Sequence, residues 1–292
     1  MLFRSRFLKK LSTDGILNEK KLLTANVVHR YEDLIDSEFK GIFDKIKVDL
    51  FEKISGKIGE KGDIGKGEYL LDIISPHVNR RGAPGDLDIS GVKVELKAGK
   101  NGRLGPAGSM SLAGRFAREF VPVIQQLVPE RAGEELDPVN FNFKLDMSYF
   151  SEFFVSARNV KLALGTMLKM HYPDYPVSKI VNAVVDGSGH IDGSKLKSEM
   201  LKASYTVYQA AKEFDGIIIM DAAVTKFLFV RTAEDLVKTA PNFTVIFPSW
   251  TDQQSNTMKL TLTASAGAEP RVGKTSGGAI SKEPAKKIKE PG

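Results

Sequence analysis

The chain has 292 residues, 42% of them hydrophobic, a formal net charge of +6 and no cysteine. That length can bury a large core without staples, and the missing thiols exclude disulfides, thiolate zinc sites and cysteine nucleophiles. Apolar runs such as "GIIIM" and "FLFV" fall far short of the roughly 20 residues that cross a bilayer, so a soluble, cytoplasmic protein with no membrane partner is expected.

The opening "MLFRSRFLKKLST" is basic but has no sustained apolar stretch, and reads as an N-terminal arm rather than a signal. Over residues 16 to 55, apolar residues from Leu34 to Ile54 recur at spacings of three and four, which predicts an amphipathic lead-in helix. These two parts make a first region, residues 1 to 60. A glycine-rich break, "SGKIGEKGDIGKGEY", precedes a short helix in "EYLLDIIS" that Pro76 closes. Two strands are expected across residues 86 to 97, followed by a loop of Gly and Lys and a helix in "SLAGRFAREFVPVIQQLV" despite Pro122.

This second region, residues 61 to 135, gives way to a helical one at 136 to 215. Its helices fall at about 145 to 172 and 177 to 213, with "HYPDYP" between them. Short strands follow in "IIIMD", "KFLFVRT", "FTVIFPSW" and "MKLTLTA", with "AEDLVKTA" as a helix among them. This segment, residues 216 to 263, either completes a sheet or forms a second lobe. Residues 264 to 292 are poor in bulky apolar residues and read as a disordered, basic tail.

Charge is concentrated in one place. Between His77 and Arg118 lie eight Lys and Arg but only three acids, and the segment "GDLDISGVKVELKAGKNGRLG" sits at its centre. With Ser90 and Gly91 as a two-residue turn, Ile89 faces Val92, Asp88 faces Lys93, Leu87 faces Val94 and Asp86 faces Glu95. Leu87, Ile89, Val92, Val94 and Leu96 then take one face, and Asp86, Asp88, Lys93, Glu95 and Lys97 the other. Opposed residues hold their Cβ atoms only about 4.5 to 5.5 Å apart, so Asp86 opposite Glu95 repels unless a cation lies between. A divalent ion removes that cost, and Lys97, two residues on, places an ammonium beside it, an arrangement suited to phosphodiester hydrolysis. Glycines 99, 102 and 105 admit a close phosphate, with Lys100 and Arg103 as charge partners.

"GD" at 85 to 86 followed by "ELK" at 95 to 97 resembles the PD-(D/E)xK superfamily of metal-dependent nucleases, which includes restriction endonucleases, phage exonucleases and junction resolvases. The resemblance covers residues 66 to about 120, and the phage-encoded members are the most similar in pattern. It implies Mg2+, or Mn2+, bound by Asp86 and Glu95, with Lys97 assisting the attacking water and Glu68 contributed by the helix upstream. Asp72 would share the face of Glu68, and Asp88 competes with Asp86 for the metal. Asp86 is favoured because it alone falls opposite Glu95 in the assumed register. The departure is at Gly85, which stands immediately before Asp86 with Pro84 one residue earlier. The implied fold is α/β: a restriction-endonuclease-like mixed sheet flanked by helices, carrying a helical insertion or second lobe.

The function expected is a Mg2+-dependent deoxyribonuclease, with Lys66, Arg80, Arg81, Lys100 and Arg103 as candidate contacts to nucleic acid. The competing reading is a non-cleaving DNA-binding or structural phage protein of the same fold. Partners expected are DNA, a second copy of the chain and, for a phage protein, virion components, which would place it in host cytoplasm or virion. RNA stays open as a substrate. Other motifs carry less: "DGSGHIDGSK" at 186 to 195 lacks the glycine and glutamate of a calcium loop and reads as a turn between helices. "GKT" at 273 to 275 lacks the rest of a phosphate loop. The four histidines show no ligand spacing, and only His77 lies near the motif.

Overall fold

The computed structural model describes residues 2–45, 47, 66–80, 85–97, 102–104, 115–143, 147–250, 257–263 and 265–267. The glycine-rich break at 55 to 65, Arg81, Lys100, the "GKT" triplet and nearly all of the expected tail lie outside them.

A mixed six-stranded sheet organises the protein. In chain order its strands are β1 (Val28–Arg30), β2 (Val78–Arg80), β3 (Leu87–Ile89), β4 (Val92–Lys97), β6 (Gly216–Met220) and β7 (Lys226–Val230). Their spatial order is β1-β7-β6-β4-β3-β2. The hairpin β3–β4 forms as expected, with Leu87 opposite Val94, Asp88 opposite Lys93 and Ile89 opposite Val92. Its turn residues Ser90 and Gly91 both have positive φ, the conformation whose twist matches that of the flanking strands. The Asp88 carboxylate locks the turn by accepting the Gly91 N–H at 2.8 Å. β4 then pairs in parallel with β6, with Glu95 beside Ile217 and Lys97 beside Ile219. Parallel neighbours need a crossover, and the long chain from 98 to 215 supplies it.

Each face of the sheet is covered. One buries Leu87, Ile89, Val94, Leu96, Ile218 and Met220 under Phe7 of α1 (Leu2–Thr13) and Leu70, Leu71 and Ile74 of α2 (Lys66–Ile74). The other buries Ile217, Ile219, Leu228 and Val230 under the helical region. That region comprises α3 (Val121–Leu127), α4 (Ser148–Phe154), α5 (Ala157–His171), α6 (Val177–Val184), α7 (Gly193–Lys212) and α8 (Ala233–Lys238). A π-helical turn, Phe116–Phe120, leads into α3 directly ahead of Pro122, which has no N–H to give the preceding turn. Of the late strands, β6 and β7 join the main sheet. The other two, β8 (Phe243–Ile246) and β9 (Met258–Leu262), pair with β5 (Gly102–Leu104) in a small sheet of order β5-β9-β8.

The single amphipathic helix expected over 16 to 55 is not what forms. Its place is taken by one-turn helices at Glu19–Leu22 and Tyr31–Leu34, strand β1 between them, and a helical segment from residue 40 to 45. Asn26 takes φ +67, and the β-branched Val28 pairs with Leu228. Asn18 N–H to Leu34 O at 2.7 Å and Asp36 N–H to Ile16 O at 2.9 Å fold the segment back on itself. Leu34, Phe39 and Phe43 still reach the core, Leu34 from the Tyr31–Leu34 turn of helix and the other two from the segment at 39 to 45, where Phe43 N–H bonds Phe39 O at 3.0 Å. The N-terminal arm is likewise a helix, α1, with Phe7 buried. The helical stretch at 145 to 172 is split by Val155, whose φ of +60 and the 2.6 Å bond from Ser156 N–H to Phe154 O make a γ-turn. Among the described residues no helix is long and apolar enough to cross a membrane.

Gly216 holds β6 close to its neighbour. A Cβ there would fall 2.4 Å and 2.6 Å from ring atoms of Phe229 and 3.0 Å from the Val230 carbonyl oxygen. Gly216→Ala is therefore expected to destabilise the fold by about 1 to 3 kcal/mol, read by urea denaturation. An unchanged midpoint would mean that Phe229 has room to move.

Candidate active site

Glu95 and Lys97 project from β4 towards α7. The Glu95 side chain is 3% exposed and that of Lys97 15%. Lys97 Nζ lies 2.6 Å from Glu95 Oε1 and 2.6 Å from the Tyr208 hydroxyl oxygen. The Tyr208 hydroxyl in turn donates to Glu95 Oε1. These three bonds close a ring, and the Lys97 ammonium also lies 4.7 Å from the centre of the Tyr208 ring. Burial, and then the bond to Glu95, push the Tyr208 hydroxyl well above its ordinary range, so it stays a neutral donor.

Asp86 arrives by a different geometry from the one the simple register implies. Its N–H bonds the Val94 carbonyl at 2.9 Å, although Leu87 is already the ladder partner of Val94. Two residues of one strand thus address one residue of the other, as in a β-bulge, which re-aims the side chain at the bulge. The Asp86 carboxylate turns across the strand and accepts the Leu96 N–H at 2.9 Å. Gly85 makes this possible, with φ +71 and a Cβ position only 3.1 Å from the Val94 carbonyl oxygen. Proline, fixed near −65°, could not stand where Gly85 does. Burial raises the Asp86 carboxyl above its usual range; the Leu96 N–H opposes this, Glu95 adds to it, and Lys97 and Lys212 act against it.

Asp86, Glu95 and Lys97 are thus brought together, and the other candidates are placed elsewhere. Asp88 serves the hairpin turn. Glu68 lies in the first turn of α2, on the helix that packs against Leu96 and Met220 on the opposite face from Tyr208. Asp72 pairs with Arg80 at 2.9 Å, and the Arg80 guanidinium also lies over the Tyr69 ring. Arg103 is exposed on β5, opposite Lys259, and Gly102 before it sits against the Lys97 side chain. Lys66 begins α2, while Arg81 and Lys100 lie outside the described residues. The 186 to 192 segment is a turn between α6 and α7: Asp186 accepts from Ser188 and His190 N–H groups, and Asp192 caps α7.

Among the described residues no three His, Cys, Asp or Glu side chains gather as a metal-holding group. Two carboxylates are enough for Mg2+, which commonly keeps several waters and takes only one or two protein ligands. One oxygen is suited to such an ion: among the described residues Glu95 Oε2 is buried with no hydrogen-bond partner, a costly state for a carboxylate oxygen unless a cation meets it.

Tyr208 is the site residue that reasoning from sequence missed. A signal was present in "SYTVYQ", where Tyr205 and Tyr208 stand three apart on one helix face. Both hydroxyls reach down to the sheet, that of Tyr205 bonding the Arg231 carbonyl at 2.7 Å. Compared with family models, curated protein sequences and solved structures, the chain matches none of them.

Proposed function

We propose that this protein is a Mg2+-dependent deoxyribonuclease whose site is Asp86, Glu95 and Lys97. The observation that carries this reading is the buried, unpartnered Glu95 Oε2 in a carboxylate that also holds the Lys97 ammonium. A carboxylate pair with an adjacent lysine is a poor structural choice, because an apolar pair of similar volume commonly gives equal or better stability. It is a good choice for hydrolysing a phosphodiester.

In this reading Asp86 and Glu95 would hold Mg2+, which when bound would supply Lewis-acid chemistry towards a phosphoryl oxygen and a water. Lys97 spends two N–H groups on Glu95 and Tyr208, and the third is left to orient the attacking water and offset charge on the phosphoryl group. Arg103, exposed on the face of β5 opposite to the one that Gly102 turns to Lys97, would be a contact to the DNA backbone away from the metal. The mixed sheet with helices on both faces accords with the fold that the PD-(D/E)xK resemblance implies.

The test is cleavage of supercoiled, linear and branched DNA, and of RNA, with Mg2+, Mn2+ or chelator, beside Glu95→Gln. Metal-dependent cutting of DNA that falls at least about 100-fold in the variant is expected. Equal cutting by the variant would remove Glu95 from the site. One observation favours the second reading, a DNA-binding or structural protein that does not cut: Glu95 is only 2% exposed beneath Tyr208. DNA binding without cleavage of any substrate in either metal would establish that reading instead.

A further inference from the structure

We propose that Tyr208 is the positioning residue of this site, dividing the groups of Glu95 and Lys97 between holding the site together and doing chemistry. What Lys97 is positioned for rests on the nuclease reading; that Tyr208 positions it does not.

The division follows from counting donors and acceptors. A tyrosine hydroxyl has one proton to give, and here it goes to Glu95 Oε1. Its oxygen then faces Lys97 as an acceptor at 2.6 Å. Glu95 Oε1 is occupied twice, by Lys97 and Tyr208, which leaves Oε2 as the oxygen still to be met. Lys97 has two N–H groups fixed and one uncommitted within this ring of bonds. Without the hydroxyl, the ammonium would have one anchor instead of two, and Glu95 Oε1 would lose its neutral donor. An ammonium on a flexible four-carbon stem holds one direction only when more than one bond fixes it.

The helix that carries Tyr208 is fixed to the hairpin at its end. Gly85 N–H bonds the Lys212 carbonyl at 3.2 Å, Asp215 N–H bonds the Lys93 carbonyl at 2.8 Å, and Lys93 N–H bonds Asp215 Oδ2 at 2.8 Å. The same connection that aims Asp86 therefore sets the height of Tyr208 above Glu95. Tyr205, one turn earlier and also buried, bonds only backbone carbonyls among the described residues, and provides an internal control for a tyrosine with a purely structural bond.

The experiment uses metal-free, full-length protein with labelled lysine side chains. The Lys97 ammonium is identified in nitrogen–proton spectra by its loss in Lys97→Arg, and its hydrogen exchange is measured in wild type, Tyr208→Phe and Tyr205→Phe. Exchange at least about tenfold faster in Tyr208→Phe, and unchanged in Tyr205→Phe, is expected. An unchanged ammonium in Tyr208→Phe overturns the proposal, whatever the protein cleaves. Should Tyr208→Phe fail to fold, the ring carbon bearing the Tyr208 hydroxyl is followed in Glu95→Gln and Lys97→Met. A resonance that moves in neither variant overturns the proposal equally. With DNA and Mg2+, Tyr208→Phe is expected to lower kcat about 10- to 100-fold with KM within threefold, and Tyr205→Phe to leave both unchanged. A responsive ammonium in a wild-type protein that cuts nothing would reject the nuclease reading and keep the positioning role.

Discussion

Lys97→Ala is expected to lose metal-dependent cleavage and, in the same protein, about 3 kcal/mol of stability in the absence of metal. The second effect comes from what is left behind. Glu95 remains a carboxylate with 3% of its side chain exposed, and breaking a buried pair by removing one partner typically costs about 3 to 5 kcal/mol. The lower end applies because Tyr208 continues to donate to Oε1 and Lys97 is itself 15% exposed. Mg2+ then separates a metal site from an ordinary ion pair. A ligand that binds only the folded state stabilises by about 2.7 kcal/mol at 100 times its dissociation constant, so Mg2+ is expected to return most of the loss. Urea midpoints of wild type and Lys97→Ala, with chelator and with Mg2+, measure all four states. A variant as stable as wild type without metal would mean that the pair is not buried in solution, and a loss that Mg2+ leaves untouched would remove the cation from Asp86 and Glu95.

The hairpin that carries this pair was legible because everything it needs is local. Alternation from Leu87 to Lys97 assigns the faces, and Ser90–Gly91 supplies the only turn that keeps them. The late strands were legible for a similar reason, as short apolar runs bounded by breaks. Asp86 was legible as a candidate but not in its geometry. The bulge depends on the positive φ of Gly85 and on the approach of that glycine to Val94, neither of which a pattern of alternation records. Tyr208 is separated from Glu95 by 113 positions, and only the crossover of the chain brings them together. The N-terminal segment misled in the opposite way. Its spacing from Leu34 to Phe43 is helical, but Glu19 bonding both Ser75 and Ser90 and β1 pairing with β7 are tertiary interactions, and they outweigh the local periodicity.

Acid is expected to destabilise the protein by about 2 kcal/mol between pH 7 and pH 5 through His171 alone. The ring is buried between Phe143 and Trp250, at 5.2 and 5.3 Å between centroids, and among the described residues its Nδ1 has no hydrogen-bond partner. Burial, reinforced by the Arg115 guanidinium, holds its pKa down at about 3. In the unfolded chain the same ring takes a proton below about 6.5. Between those values the unfolded state binds more protons than the folded one, so stability falls as pH falls, towards a limit of about 5 kcal/mol near pH 3. His29, also buried and also shifted downwards, acts in the same direction. His171→Phe isolates the first contribution. It keeps a ring against Phe143 and Trp250, removes the unpartnered nitrogen, and cannot be protonated. Its urea midpoint is expected to change less between pH 7 and pH 5 than that of wild type, by the same 2 kcal/mol. Parallel pH profiles would show that His171 finds a proton partner or solvent in the folded protein, and that its surroundings open where Trp250 closes over Phe120 and Phe116.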